Sequence, residues 1–249
     1  MEKKMSISIN LSETAIEPAD ADALLALCGD LRQILGENLI SLALYGSAVR
    51  KDYRPGKSNI NLLAVVNHID LPVLRTVLDA VFRGRRFGIV PFFLTYEDLQ
   101  SSADVFPVKF ISMKENYRVL YGSDVLTGLE IAREHLRLRC EQEMKNILLR
   151  LRRHYLMSGG RRLTEVLSGM TVGFLESLRM LHSLIHGTLP SREEVIESAA
   201  KTFGIDPEVL INVSTLRELD VALPREEEEE LYALFMDTVE KAGRIADKL

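Results

Sequence analysis

Apolar positions recur at intervals of three and four residues between Ala19 and Leu35, at Leu24, Leu27, Leu31, Ile34 and Leu35. That spacing predicts an amphipathic helix, and Gly36 supplies its stop. The pattern then changes to short unbroken apolar runs. ISLALYG predicts a strand ending on Gly46, and LLAVV predicts a second strand entered from Asn59. Between them SAVRKDYRPGK is polar, and Pro55-Gly56 marks a turn. Helical spacing returns from Leu71 to Phe82, and GIVPFFLTY predicts a third strand. Thr95 with Asp98 forms a helix-capping pair ahead of a short helix. VFPVKFISM predicts a further strand, in which Pro107 calls for an edge position or a strand start.

After Asp124 strand patterns give way to helical ones. Met144, Ile147, Leu148, Leu151 and Tyr155 fall on one face of a long helix that Ser158-Gly159-Gly160 breaks. Further helices are predicted at roughly 163–186, 191–203 and 226–247. Arg133, Arg137, Arg139, Lys145, Arg150, Arg152 and Arg153 interleave with Glu134, Glu141 and Glu143, which reads as a solvated basic face. The acidic run from Glu226 to Glu230 reads as solvated first-turn charge. The chain therefore divides into an α/β domain over residues 1–125 and an all-α helical bundle over 126–249.

Composition narrows the function classes. A chain of 249 residues with 47% hydrophobic and 27% charged residues suits two ordinary globular domains. A net charge of −5 makes nucleic acid an unexpected partner. No stretch is long and apolar enough for a membrane span, and the first eighteen residues carry no apolar leader. Cys28 and Cys140 stand far apart without metal-ligand spacing, as expected of buried thiols in a reducing cytoplasm. The histidines show no ligand set either, although His182 and His186 lie one helical turn apart on the helix that also carries Arg179.

The chemistry concentrates at SNINLLAVV. Asn59 and Asn61 open an apolar strand, where asparagine is depleted, and alternation places both amides on one face. Leu44-Tyr45-Gly46-Ser47 precedes them, and eleven residues, 48 to 58, intervene. This arrangement over residues 39–66 resembles the nucleotidyltransferase superfamily, which includes kanamycin nucleotidyltransferase and the minimal nucleotidyltransferases. Its signature is Gly-Ser, a short loop, then Asp-x-Asp on the next strand. The resemblance implies a mixed sheet in the first domain and a nucleoside triphosphate held at Gly46 and Ser47. It also implies two metal-binding carboxylates at positions 59 and 61, with a third on a neighbouring strand.

This chain departs from that signature. Both aspartates are asparagines, and the residue matched to the third carboxylate is Lys109. Three negative charges would become one positive one, which is unsuited to Mg²⁺. The expected binding residues are Gly46, Ser47, Asn59, Asn61 and Lys109, with no metal ligand and no cofactor. The lysine would meet phosphate as a fixed cation. Asp52, Glu97, Asp98, Asp104 and Glu115 are the nearby acids that could rescue a metal site, though none has the alternating geometry. The leading expectation is a cytoplasmic, catalytically degenerate protein that binds a nucleotide or a protein partner. The alternatives are an active Mg²⁺-dependent nucleotidyltransferase and a purely structural protein, including a homo-oligomer.

Overall fold

Strand β1 (Leu39–Tyr45) and strand β2 (Ile60–Val66) are buried on both faces, which explains their unbroken apolar runs. The computed structural model describes residues 14, 16–50, 53–55, 58–219 and 223–249. Its packing divides into two compact units, Met1–Ile131 and Ala132–Leu249.

The first unit is a four-stranded mixed sheet in the order β3-β2-β1-β4, with β3 at Ile89–Thr95 and β4 at Tyr117–Gly122. β1 pairs antiparallel with both β2 and β4, while β2 and β3 run parallel. One sheet face carries Leu42, Leu44, Leu62, Ala64 and Val66. It packs against α1 (Pro18–Leu35) and α2 (Leu71–Arg85) through Leu24, Leu31, Val77 and Ala80. The opposite face carries Ala43, Leu63 and Val65. It packs against Leu99 of α3 (Tyr96–Ser101), Phe110 and Met113 of α4 (Pro107–Glu115), and Val125, Leu126 and Leu129. The capping pair read at Thr95 and Asp98 is a complete reciprocal box at the start of α3.

One predicted element is wrong. VFPVKFISM is not a strand, because residues Pro107–Glu115 form α4. Pro107 sits in the first helical turn, where a missing N–H costs nothing, and Pro107, Phe110 and Met113 recur every three residues on the buried side. The fourth strand is the following YRVLYG, which the sequence reading passed over.

The second unit is helical throughout its described elements: α5 (Arg133–Ser158), α6 (Leu163–His186), α7 (Val195–Phe203), α8 (Pro207–Leu219) and α9 (Arg225–Ala246). α8 was not foreseen. Leu136, Cys140, Met144, Ile147 and Leu151 form the buried face of α5. Phe174 of α6 meets Phe235 of α9 edge-on with ring centroids 5.2 Å apart. The buried Tyr232 hydroxyl donates to the Leu151 carbonyl at 2.6 Å. The basic face of α5 is laced with carboxylates, through Arg137–Glu141 and Arg139–Glu143. No described helix is long and apolar enough to cross a membrane.

Candidate functional site

The end of β1 sets the geometry. Gly46 leaves the strand with φ +77°, a backbone state open to glycine and strained for other residues. Its N–H donates to the Asn116 carbonyl at 3.1 Å, tying the turn to the chain just before β4. Residues Gly46–Ala48 then form a single 3₁₀ turn, closed by Val49 N–H donating to the Gly46 carbonyl at 3.0 Å. A Cβ on Gly46 would stand 3.3 Å from the Asn61 side-chain nitrogen. The Gly-Ser turn and Asn61 are therefore in contact.

The loop returns through a second set of contacts. Tyr53 is buried, and its hydroxyl donates to Asp20 at 3.3 Å. Burial and the adjacent Asp20 carboxylate both push that phenol's pKa up. Arg54 and Ser58 close the turn around Pro55, with Ser58 N–H donating to the Arg54 carbonyl and Arg54 N–H to the Ser58 hydroxyl. Asp52 and Gly56 lie outside the described residues.

Register places the rest. Asn61 pairs with Tyr45 on β1 and with Val90 on β3, and Tyr45 pairs in turn with Tyr117 on β4. Val90, Asn61, Tyr45 and Tyr117 thus form a row across one end of the sheet, on the face that α3 and α4 cover farther along. Asn61 is partly buried. Asn59 is exposed and precedes the first strand residue, so strand alternation does not govern its direction.

Lys109 is not on a strand. It projects from α4, and its ammonium lies 3.3 Å from the centroid of the Phe92 ring. Phe92 belongs to β3 and packs with the same core as Leu63, on the sheet face that carries Asn61. Lysine and asparagine thus address one face from different elements. Lys109 is exposed overall, yet desolvation lowers the pKa of its ammonium below the ordinary 10.5. The side chains of Ser47, Asn59 and Asn61 make no hydrogen bond among the described residues, and Lys109 makes no ion pair there.

On β3, the parallel neighbour of β2, the place opposite Asn61 is held by Val90, 42% exposed. Sequence reasoning missed this position. Which β3 residue faces Asn61 depends on the stagger of a parallel pair, which residue types alone do not specify. The acids named as rescuers are otherwise placed. Asp98 caps α3, while Glu97, Asp104 and Glu115 are exposed. Asp124 lies near Tyr117, but its carboxylate accepts from the Tyr117 hydroxyl, Leu126 N–H, Thr127 N–H and the Thr127 hydroxyl. Burial raises its pKa, and those hydrogen bonds outweigh it to leave the group below the ordinary carboxylate value. Among the described residues no group of three His, Cys, Asp or Glu side chains could hold a metal ion.

In the helical unit, Arg179 and the two histidines of α6 lie in different surroundings. Arg179 is 1% exposed and donates to the Pro190 carbonyl and the Glu176 carboxylate, while His186 is exposed. The His182 and His186 rings lie tilted to each other by 42°, with centroids 4.5 Å apart.

No protein-family model matches the chain. No curated protein matches it either. Among solved structures, it is similar to spectinomycin adenyltransferase AAD(9) from Enterococcus faecialis, crystallised with ATP and spectinomycin. Sequence identity is 12%, the TM-score is 0.58, and the match covers 89% of this chain and 98% of that one. The likeness establishes a nucleotidyltransferase fold.

Proposed function

We propose that this chain is a nucleotide-binding protein on a nucleotidyltransferase fold, which holds a nucleoside triphosphate without transferring a nucleotidyl group. The observation that carries the reading is the neutral, unpartnered polar set at the Gly-Ser turn. Asn61 brings its amide to the turn that carries the Ser47 hydroxyl, with Val90 opposite Asn61 on the adjoining strand and Asn59 exposed just ahead of β2.

That donor set does not suit Mg²⁺. The ion sheds water reluctantly and is usually held through one or two carboxylates plus substrate phosphates. Amide carbonyls bring no net charge, and an isopropyl group brings no ligand at all. The same groups suit phosphate oxygens, because a hydroxyl and two amide NH₂ groups are donors. Lys109 would add a cation that no described carboxylate neutralises, worth more to an anion than a neutral donor is. The Gly46 turn lets backbone approach a ligand closely, since it has no Cβ to keep it off. That the fold neighbour was crystallised with ATP supports a nucleoside triphosphate as the ligand class.

Calorimetric titration of ATP, once with Mg²⁺ and once with EDTA, tests the reading. Equal affinity in both buffers is expected, with a loss of about tenfold in Lys109→Met. Binding that requires Mg²⁺ would overturn the metal-free reading. Absence of binding in both buffers would overturn nucleotide recognition itself.

A further inference from the structure

Helix α6 ends on a pair of histidines. His182 and His186 stand four residues apart, a spacing that sets two side chains one above the other on a helix face. His182 is half-buried and His186 is exposed, so the pair is open to solvent.

Each ring has one nitrogen engaged by the protein. His182 Nδ1 lies 3.0 Å from the Thr188 carbonyl. A carbonyl can only accept, so Nδ1 carries the proton and Nε2 keeps a lone pair. His186 Nε2 lies 3.3 Å from the Thr202 hydroxyl on α7. That hydroxyl can accept from it, which leaves the second lone pair on His186 Nδ1. Neither of these two free nitrogens has a hydrogen-bond partner among the described residues.

We infer that His182 Nε2 and His186 Nδ1 form a two-imidazole site for a divalent late transition ion, Cu²⁺ foremost and Zn²⁺ more weakly. Imidazole suits both ions, and divalent affinities peak at Cu²⁺. A ligating histidine commonly donates its other N–H to an acceptor that fixes the ring, the part that Thr188 and Thr202 play here. The ring separation fits as well. Metal–nitrogen bonds of about 2.0–2.1 Å put each ring centroid about 3.2 Å from the ion. Two such rings have centroids about 4.5 Å apart at a right-angled bite and about 5.2 Å apart at a tetrahedral one. The observed 4.5 Å matches the square coordination of Cu²⁺. The pair also occupies the last turn of α6, ahead of the Gly187 C-cap, where the helix dipole favours a cation. Among the described residues no third His, Cys, Asp or Glu completes the set, so water would fill the remaining positions and the ion would stay exchangeable.

Calorimetric titration of the full chain with CuCl₂, ZnCl₂ and MgCl₂ tests the inference. One Cu²⁺ per chain is expected, with Zn²⁺ weaker and no response to Mg²⁺. His186→Gln, a change at an exposed position, should weaken Cu²⁺ binding at least about tenfold, and His182→Gln should do the same. His68→Gln, in the first unit, should leave it unchanged. Electron paramagnetic resonance of the Cu²⁺-loaded chain should show coupling to two imidazole nitrogens. Circular dichroism of each variant reports whether the fold is kept. Cu²⁺ affinity indifferent to His186→Gln would overturn the site, as would an equal loss in His68→Gln or coupling to a single imidazole. Zn²⁺ bound more tightly than Cu²⁺ would overturn the square coordination.

Discussion

If Val90 occupies the place of a missing third carboxylate, acids put back in register should create a metal site where none is expected now. The perturbation is Asn59→Asp, Asn61→Asp and Val90→Glu in one chain. Positions 61 and 90 are direct partners on parallel strands, so their side chains start about 5 Å apart. Two carboxylates at that distance repel by about 0.8 kcal/mol in water and about 3 kcal/mol at the effective dielectric near a protein surface. With Val90 42% exposed and Asn61 partly buried, the variant should lose about 1–3 kcal/mol in EDTA. At roughly 2–4 °C per kcal/mol for a chain of this size, its melting midpoint should fall by a few degrees. Mg²⁺ at a hundred times its dissociation constant would return about 2.7 kcal/mol, enough to cancel the loss. Thermal melts followed by circular dichroism across a Mg²⁺ titration provide the assay, with the unmodified chain as the control. A parallel variant carrying Lys109→Glu in place of Val90→Glu should respond less, because position 109 lies on α4. A folded triple variant whose midpoint ignores Mg²⁺ would refute the register argument. An equal or larger response from the Lys109 variant would refute the assignment of Val90.

Two glycines with similar φ should behave differently. Gly122 has φ +79°, and a Cβ there would stand 1.9 Å from the Ile40 carbonyl oxygen, a backbone atom that cannot swing away. Gly122→Ala should force β4 off the end of β1 and cost about 3 kcal/mol or more in urea denaturation. Gly46→Ala meets only the Asn61 amide and should cost about 1–2 kcal/mol. Equal losses at the two sites would contradict the geometry. Acid should weaken the helical unit through Glu141, whose carboxyl is held at about 2 by hydrogen bonds from Lys145 and then Arg137. Its folded pKa lies below the ordinary 4.5. The stabilisation is therefore complete above that value and is lost as pH falls through about 2. The stability gap between the native chain and Glu141→Gln should accordingly narrow between pH 6 and pH 2.5; a constant gap would rule the linkage out.

How much of this was legible depended on whether one chain segment carried the whole signal. β1, β2, β3, α1 and α2 announced themselves because each has a single period, either unbroken apolar or helical. The Thr95–Asp98 box was readable because both partners lie within four residues. The failure at 105–113 came from weighing apolar content above proline. Pro107, Phe110 and Met113 already stood at helical spacing, and Pro107 was better placed at a helix start than inside a strand. YRVLYG, with two tyrosines, a valine and a leucine, was the strand left unread.

The site divides along the same line. The contact between Gly46 and Asn61 joins a turn to the strand that returns beside it, within the stretch 39–66 that carried the resemblance. The third position did not follow, because it joins strands separated by α2 and depends on a parallel stagger. A slip of one residue would have offered Ile89 or Pro91 to Asn61 instead of Val90. Lys109 was matched to the third carboxylate on a predicted strand, but it stands on α4. Its ammonium comes to the Asn61 face of the sheet only because α4 lies over β3 and Phe92 gives the charge a ring to rest on. The neutral character of this end of the sheet therefore does not depend on the lysine. It rests on Asn61 and Val90, and the sheet register joins those two directly.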